Sequence, residues 1–180
     1  MKKLTFGLVV LAAGLILSSS AFGQKKNAIK VNLFSPILKT YNIAYERAIN
    51  DGLSVNIGAF YTGVKRDDVS NTGFGIQPDL RIYPGKNESL KGFYIAPFLR
   101  YMSFTAKEEI LEVLETQTSV IGGGLLIGGQ FIFGDIITLD MFIGPQYLSA
   151  STKIKSGSSA VEPILEGFLV RGGLTVGITF

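Results

Sequence analysis

Apolar and polar residues alternate along most of the chain with a period of two. In residues 166–180, apolar side chains fall on one face and polar or glycine residues on the other. Because successive side chains of a strand point to opposite faces, this pattern predicts a β-strand. The pattern recurs between turn signals and predicts eight strands over residues 28–34, 40–49, 53–64, 72–83, 92–104, 119–133, 136–149 and 166–180.

The segments between the predicted strands alternate in length. The connections at 50–52, 84–91 and 134–135 are short or rich in Asn, Asp, Gly and Pro, which favour tight turns. The segments after the third, fifth and seventh strands are longer and more polar, and we expect loops over residues 65–71, 105–118 and 150–165. Short turns at one end and long loops at the other are typical of bacterial membrane barrels, although the first long-side link, 35–39, is short for that scheme.

The polar face of the predicted strands carries charges of both signs. A membrane barrel turns its apolar face outward to lipid, whereas a soluble barrel turns it inward. Since an Arg or Lys on the lipid face at mid-bilayer costs about 2–4 kcal/mol, we expect the charged residues to form an ion-pair network in the lumen. Its predicted members are Lys30, Glu46, Asp79, Arg81, Arg100, Asp140 and Arg171. The sequence therefore predicts an all-β fold, an eight-stranded antiparallel up-and-down transmembrane β-barrel.

Glycine and aromatic residues also favour a membrane barrel. The chain has 22 glycines, many of them inside the apolar runs, where they would relieve crowding in the wall of a narrow barrel. Aromatic residues cluster near the ends of the predicted strands, as they do in interfacial girdles. These residues are Tyr41, Tyr61, Phe93, Tyr101, Phe131, Phe133, Tyr147, Phe168 and Phe180.

The N-terminus has the three parts of a secretory signal peptide. Lys2 and Lys3 precede an apolar stretch at 4–17, and small residues follow at 18–23. An apolar stretch of about 14 residues is shorter than the roughly 20 that a membrane-spanning helix needs. We therefore expect residues 1–23 to be cleaved and residues 24–180 to form a single barrel domain.

Charge and cysteine content exclude several classes of protein. The chain has 17 basic and 14 acidic residues, and loss of Lys2 and Lys3 leaves 15 basic residues (17 − 2) against 14 acidic ones. No basic stripe points to nucleic acid as a partner. Cysteine is absent, so disulfides and thiolate metal sites are excluded.

Four stretches carry a resemblance to a known family: 32–36 (Asn-Leu-Phe-Ser-Pro), 44–46 (Ala-Tyr-Glu), 92–97 (Gly-Phe-Tyr-Ile-Ala-Pro) and 176–180 (Val-Gly-Ile-Thr-Phe). The chain resembles the small eight-stranded outer-membrane proteins of the OmpX and OmpA-barrel type. It is especially similar to small exported barrels grouped as a domain of unknown function. The resemblance implies that Phe180 is part of the signal that the barrel-assembly machinery reads. We expect a monomer in the outer-membrane lipid.

The absence of histidine argues against catalysis, because the usual base near neutral pH is missing. A Ser–Lys pair, or Asp79 with Asp140, remains open as a catalytic arrangement, but counter-ions to Arg81, Arg100 and Arg171 are the favoured interpretation. We expect no catalytic residue, cofactor or metal, a lumen filled by side chains, and a structural or surface-interaction role. The alternatives are a narrow porin-like channel, a barrel that binds a small ligand or lipid, and a soluble periplasmic lipocalin-like carrier.

Three further motifs have both a structural and a functional interpretation. Pro78, Pro97 and Pro145 each follow an Ile-X pair, and we expect bulges or bends there, since proline cannot donate to a strand ladder. The acidic segment 107–115 could bind a cation or a partner, or bridge to Lys153 and Lys155, but a solvated loop or an extended hairpin is favoured. The glycine runs at 122–124 and 128–129 lack the strand-to-helix setting of a phosphate loop.

Overall fold

The protein is a closed barrel of eight antiparallel strands. A computed structural model describes residues 25–37, 39–66, 69–85, 90–109, 113–156 and 166–180. The strands are β1 (Asn27–Asn32), β2 (Thr40–Asn50), β3 (Leu53–Arg66), β4 (Val69–Ile82), β5 (Gly92–Glu109), β6 (Val113–Phe133), β7 (Ile137–Ser156) and β8 (Gly167–Thr179). Each strand pairs with the next, and β1 pairs with β8. The predicted eight-stranded antiparallel up-and-down barrel is confirmed.

Some predicted features lie outside the described residues. The signal peptide at 1–23 is one of them, so its cleavage and the start of the mature domain at 24 stay predictions. The side chains of Glu108, Glu109 and Glu115 and the whole of Glu112 also fall outside, and the cation-binding hypothesis for this segment therefore stays open. Within the described part of the chain, no helix is long and apolar enough to cross a membrane.

The strands β5, β6 and β7 are longer than the alternation predicted, with 18, 21 and 20 residues. Most of the residues expected as loops at 105–118, and those at 150–156, belong to strands, and β3 pairs with β4 up to Arg66 opposite Val69. The loop prediction was wrong here because a ladder needs only backbone hydrogen bonds. The extended hairpin, the other interpretation favoured for residues 107–115, agrees with the pairing of β5 with β6 up to Glu109 opposite Val113. In this part of the sheet neither face of the strands is apolar. Thr118 and Thr152, for example, lie opposite each other on β6 and β7, and their side chains hydrogen-bond at 3.2 Å.

The two ends of the barrel differ. We call the end that holds the connections after β2, β4 and β6 the turn end, and the opposite end, with the connections after β1, β3, β5 and β7, the hairpin end. At the turn end, the backbones of Asn27 and Phe180 exchange hydrogen bonds of 3.0 and 2.9 Å, which completes the closure of β1 on β8. Gly134 and Asp135 both have positive φ (56° and 59°), as a tight turn between β6 and β7 requires.

The outer face of the barrel is apolar. Side chains such as Ile43, Leu99 and Val170 point outward, and Leu99 and Val170 are 69% and 76% exposed. Two aromatic rows border this face. The row nearer the hairpin end contains Tyr41, Tyr61, Phe74, Tyr101, Tyr147 and Phe168, and the row nearer the turn end contains Phe93, Phe131 and Phe133.

The distance between the aromatic rows is set by the strand geometry. Phe93 and Tyr101 are eight positions apart on β5, which is about 26 Å along the strand. At a tilt of about 40°, this is about 20 Å along the barrel axis. The apolar face is therefore a belt of limited height around the barrel.

The three prolines interrupt the ladder without changing its register. All three side chains are exposed on the outer face. The pairing of β4 with β5 stops around Pro78 and Pro97 and resumes in the same register, and the pairing of β6 with β7 does the same at Pro145. The described register shifts lie elsewhere, at the turn-end part of β2–β3 and the hairpin-end part of β6–β7. The expected irregularity is thus a set of missing backbone bonds and not a bulge.

Inward-facing glycines make room for large side chains in the lumen. A Cβ at Gly128 would lie 2.5 Å from the ring of Tyr94, and one at Gly177 would lie 2.7 Å from Cγ of Lys30. Both distances are shorter than any normal contact, so these positions accept no side chain unless the neighbour moves. At both positions a Cβ would also meet a backbone carbonyl of the neighbouring strand, of Met141 or Ile29, so these glycines accommodate both the enclosed side chains and the close approach of the strands.

We predict that Gly128→Val destabilises the barrel by about 1–3 kcal/mol or more, because overpacking next to Tyr94 forces the ring or the strand to shift. Gly129→Val is the matched control. Its Cβ would meet only the ring of Phe131, at 3.5 Å, and should change stability by less than about 0.5 kcal/mol. Urea unfolding of the two variants in the same detergent measures the difference, and equal losses would contradict this account of the glycines.

A lumen divided into an ion cluster and a cavity

Four charged side chains from four strands meet inside the barrel near the turn end. Lys30 Nζ lies 2.5 Å from Glu46 Oε2 and 3.1 Å from Asp140 Oδ2. Arg81 Nη1 lies 3.2 Å from the same oxygen of Glu46 and 2.8 Å from the same oxygen of Asp140. Each cation thus contacts both carboxylates. Asp79 joins through its Oδ1, 2.9 Å from Arg81 Nε, and these five residues are called the ion cluster below.

The remaining polar atoms of the ion cluster are satisfied by neutral side chains. Ser54 and Tyr83 donate hydrogen bonds to Glu46 Oε1, and Tyr94 donates to Asp140 Oδ1 at 2.7 Å. The Oε1 atom of Gln130 accepts from Lys30 at 2.8 Å and from Arg81 at 3.0 Å. Asn56 donates to Asp79 Oδ2 at 2.7 Å.

Burial makes the geometry of the ion cluster decisive for stability. All five members are at most 4% exposed. Taking charges out of water costs several kcal/mol per ion, and only close pairing with full hydrogen bonding offsets this cost. The positions of the five residues meet that condition, since every carboxylate in the cluster contacts a cation and a neutral donor.

The ion cluster and its neighbours fill the lumen at the turn end. Leu90, Ala28 and Ala48 form a buried apolar group at this end, and the Leu90 carbonyl accepts a hydrogen bond of 2.7 Å from Gln130. The rings of Tyr83 and Tyr94 pack at 5.5 Å, with the Arg81 guanidinium 4.4 Å from the centre of the Tyr94 ring. The turn end is therefore closed by side chains, as the sequence analysis expected for the whole lumen.

Arg100 and Arg171 do not join the ion cluster, although the sequence analysis placed them in the network. Among the described residues, no carboxylate lies within ion-pair distance of either guanidinium. Arg100 stands over the ring of Phe60 at 5.6 Å, and its Nη1 lies 3.5 Å from Gln146 Oε1. Arg171 stands over the ring of Phe142 at 5.4 Å, and its buried Nε has no hydrogen-bond partner.

The reason for this separation is height along the barrel axis. Asp140 is paired with Thr175, and Arg171 lies four positions closer to the hairpin end on β8, about 13 Å along the strand. Arg100 lies two positions closer to the hairpin end than Phe98, which is paired with Asp79. Side-chain alternation places all seven charged residues in the lumen. The registers of the strands bring only five of them to a similar height along the barrel axis.

A cavity of about 380 Å³ occupies the lumen between the ion cluster and the hairpin end. Lys30, Asp79, Arg81 and Asp140 lie at its floor. The polar residues of its walls are Arg100, Arg171, Gln77, Gln146 and Thr175, and the apolar ones are Phe60, Phe142, Met102 and Leu148. Near its mouth lie Asn32, Ser35 and Thr62. The described side chains thus fill only part of the lumen.

Sequence reasoning missed several residues of this site. Tyr83, Tyr94 and Gln130 face inward by alternation, and that signal was available. Their role as donors and acceptors in the ion cluster was not, because it depends on which residues of non-neighbouring strands share a level.

Comparison with known proteins relates the chain to one family and to a few solved barrels. The model of a family described as "Protein of unknown function (DUF3575)" matches residues 7–163. The structure is similar to CarO of Acinetobacter baumannii (11% identity, 90% of this chain and 100% of that chain covered, TM-score 0.47). It is similar to CarO2 of the same organism (12%, 87% and 98%, TM-score 0.45). It is also similar to the N-terminal β-barrel domain of Pseudomonas aeruginosa OprF (13%, 88% and 99%, TM-score 0.44). No curated protein matches the sequence.

We predict that Arg81→Gln destabilises the barrel by about 3–5 kcal/mol, because it leaves three buried carboxylates with one cation. Arg100→Gln removes the same charge from the same lumen but breaks no ion pair among the described residues. It should leave the free energy of unfolding unchanged within about 0.5 kcal/mol, or raise it. Chemical unfolding of both variants in one detergent tests this contrast, and a loss in Arg100→Gln as large as that in Arg81→Gln would refute it.

Proposed function

This chain belongs to the DUF3575 family of proteins of unknown function, and we propose that it is an integral outer-membrane barrel with a structural or surface-interaction role and no enzymatic activity. The observation that carries this proposal is that the barrel has its polar residues inside and its apolar residues outside, the reverse of a soluble protein. Charged residues are buried in the lumen, and large apolar side chains cover the outer face. A soluble protein rarely exposes more than a few hundred Å² of continuous apolar surface.

Polarity also bears on the soluble lipocalin-like alternative. A soluble carrier barrel encloses an apolar ligand with an apolar lumen and turns polar residues to water. Here the positions of Leu99 and Asp140 are the reverse of that arrangement, since Leu99 is 69% exposed and Asp140 is fully buried. The apolar belt, about 20 Å high, is close to the band of about 25 Å that outer-membrane barrels present to lipid. Lipid is therefore the partner that fits the outer face.

The orientation in the membrane follows from the asymmetry of the two ends. Outer-membrane barrels carry short turns on the periplasmic side and long loops outside, so the turn end would face the periplasm. The 21 residues of β6 span about 70 Å along the strand, or about 50 Å along a tilted axis. This exceeds the height of the apolar belt, so β5, β6 and β7 would project from the outer surface and offer their edges and tips to surface partners.

Export and assembly complete the proposal. Residues 1–23 would direct secretion and be removed. Phe180, paired through its backbone with Asn27, would carry the aromatic part of the signal read by the barrel-assembly machinery. The closed ladder leaves no open edge for pairing with another chain, which supports a monomer.

The carboxylate oxygens of Asp79 and Asp140 already have ion-pair or hydrogen-bond partners, which supports a role without catalysis. Asp79 and Asp140 both contact Arg81, and their other oxygens accept hydrogen bonds from Asn56 and Tyr94. A general base needs a lone pair directed at a substrate. In this arrangement the two aspartates act as counter-ions, which is the interpretation that the sequence favoured over an Asp–Asp pair.

Topology can be tested with single cysteines, because the chain has none of its own. Lys153 is exposed near the hairpin end, and Asp51 is exposed in the β2–β3 turn. In intact cells of a bacterium with an outer membrane, a membrane-impermeant maleimide should label Lys153→Cys. It should label Asp51→Cys only after the outer membrane is permeabilised.

Both variants should be recovered in the outer-membrane fraction and migrate differently on gels before and after boiling. These two readouts control for folding and membrane insertion. Recovery of the folded protein in the aqueous fraction without detergent would overturn the membrane assignment. Labelling of Asp51→Cys in intact cells would overturn the orientation.

A narrow channel is the second candidate, and the cavity of about 380 Å³ on the hairpin side of the ion cluster favours it. A solute crossing the barrel would have to separate Lys30 and Arg81 from Glu46 and Asp140. Breaking one buried ion pair costs about 3–5 kcal/mol, so spontaneous opening should be rare.

We predict that the wild-type barrel in a planar lipid bilayer shows no reproducible single-channel openings. The closed turn end is the physical reason. Insertion is verified independently by protease protection of the same preparation. Openings of constant size in several independent membranes would favour the channel over the closed barrel.

A further inference from the structure

We propose that Arg100 and Arg171 form a binding site in the lumen cavity for a small organic anion that joins a carboxylate or phosphate group to an apolar body. The inference goes beyond the role proposed above, because it concerns the inside of the barrel and not its outer face. It rests on the charge balance of the lumen, on unpaired polar atoms in the cavity wall, and on the chemistry of the surrounding side chains.

Charge balance makes the cavity a favourable place for an anion. The ion cluster contains two cations and three carboxylates (2 − 3 = −1), and these groups already contact each other. Arg100 and Arg171 add two positive charges, which makes the sum over the seven residues +1. Both guanidinium groups line the same cavity and carry the same charge, so they repel each other, while Asp79 at the floor attracts Arg171 from beyond ion-pair distance. An anion between them would relieve this repulsion.

The carboxylates at the cavity floor are not available to neutralise the two arginines. Asp79 has one oxygen bound to Arg81 and the other to Asn56. Asp140 has one oxygen shared by Lys30 and Arg81 and the other bound to Tyr94. Moving either aspartate toward Arg100 or Arg171 would break a buried ion pair. Among the described residues, no further carboxylate is placed to neutralise the two arginines, which favours an anion from outside as the counter-charge.

Unpaired polar atoms in the wall of the cavity show where such an anion could make hydrogen bonds. Arg171 Nε is buried without a partner, as are Gln77 Oε1 and Thr175 Oγ1. All three residues line the cavity. The arginine N–H and the Thr175 hydroxyl can donate to carboxylate or phosphate oxygens, and Gln77 can accept from a hydroxyl or amine on the ligand.

The aromatic rings next to the arginines determine which atoms of each guanidinium remain for a ligand. Phe60 and Phe142 lie over one guanidinium each, at 5.6 and 5.4 Å. The N–H donors of a guanidinium lie in its plane, so a ring on one face orients the group and leaves the planar fork that recognises carboxylate and phosphate. Together with Met102 and Leu148, the rings supply an apolar wall for the remainder of the ligand.

The size of the cavity and its access fit a ligand of moderate size. Its volume of about 380 Å³ is at the lower end of the range of about 300–1,000 Å³ for small-molecule sites. Ser35 and Thr62 lie near its mouth at the hairpin end, whereas the turn end is closed by the ion cluster. Exchange of a ligand would therefore occur through the hairpin end alone.

Isothermal titration calorimetry on the folded barrel in a non-ionic detergent tests the proposal with defined probes. Benzoate and phenyl phosphate carry both parts of the proposed ligand, inorganic phosphate lacks the apolar body, and benzyl alcohol lacks the charge. We expect saturable one-to-one binding of benzoate or phenyl phosphate. Inorganic phosphate should bind at least about tenfold more weakly, and benzyl alcohol should not bind in the same concentration range.

Three variants connect binding to the two arginines. Arg100→Gln and Arg171→Gln should each weaken binding by about tenfold or more, as expected for the loss of a charge-assisted hydrogen bond. Arg47→Gln, which removes an exposed arginine outside the cavity lining, should bind like the wild type. A purely structural role of Arg100 and Arg171 would lower the melting temperature, whereas relief of their repulsion should leave it unchanged or raise it.

The outcomes are decisive in each direction. Loss of binding in both cavity variants at an unchanged or higher melting temperature supports the site. Absence of binding for both aromatic anions at millimolar concentration, or equal binding in a folded double variant, overturns it. Equal affinity for inorganic phosphate and phenyl phosphate would overturn the apolar part of the proposed ligand. Retention of heat-modifiable migration establishes that each variant is folded.

Discussion

The structure depends on the contact of Lys30 and Arg81 with Glu46 and Asp140 inside the barrel. These residues come from β1, β4, β2 and β7, so they meet only when the barrel closes in the observed register. A shift of β4 by one residue would turn Arg81 to the outer face, at a cost of about 2–4 kcal/mol in lipid. Glu46 and Asp140 would then be buried with Lys30 as their one cation, and the loss of the buried ion pairs to Arg81 costs about 3–5 kcal/mol more. The ion cluster thus selects one register of the whole sheet.

Alternation in the sequence was sufficient to predict the number of strands, their order and the direction of their side chains. The inward direction of the Asp79 side chain and the outward direction of the Leu99 side chain follow from alternation alone, because side chains along a strand alternate with a period of two. The extent of β5 to β7 did not follow. Beyond the apolar belt, the half-buried side chains of Thr118 and Thr152 hydrogen-bond to each other across the β6–β7 ladder, and neither face is apolar there. Alternation therefore describes the part of a strand that lies in the apolar belt and not its full length.

The level of a residue along the barrel axis is the information that one sequence lacks. Alternation placed the side chains of Arg100 and Arg171 correctly in the lumen, but it could not show that they lie at a different height from the ion cluster. Their level depends on the registers of all the intervening strands and on the tilt that closure imposes. The same limit explains why Tyr94 and Gln130 were not assigned to the ion cluster. Contacts between non-neighbouring strands across a lumen become predictable only when every register is known.

The position of the ion cluster also determines what the rest of the lumen can do. Because Arg81 and its partners close the turn end, the cavity above them can exchange its contents only through the hairpin end. Among the described residues, no carboxylate lies within ion-pair distance of Arg100 or Arg171, and a barrel wall of low dielectric makes two such charges more costly than they would be at a surface. Water alone compensates such charges less well in a confined space than in bulk. The excess positive charge of the two arginines is therefore the physical reason for which the cavity is proposed to prefer anions.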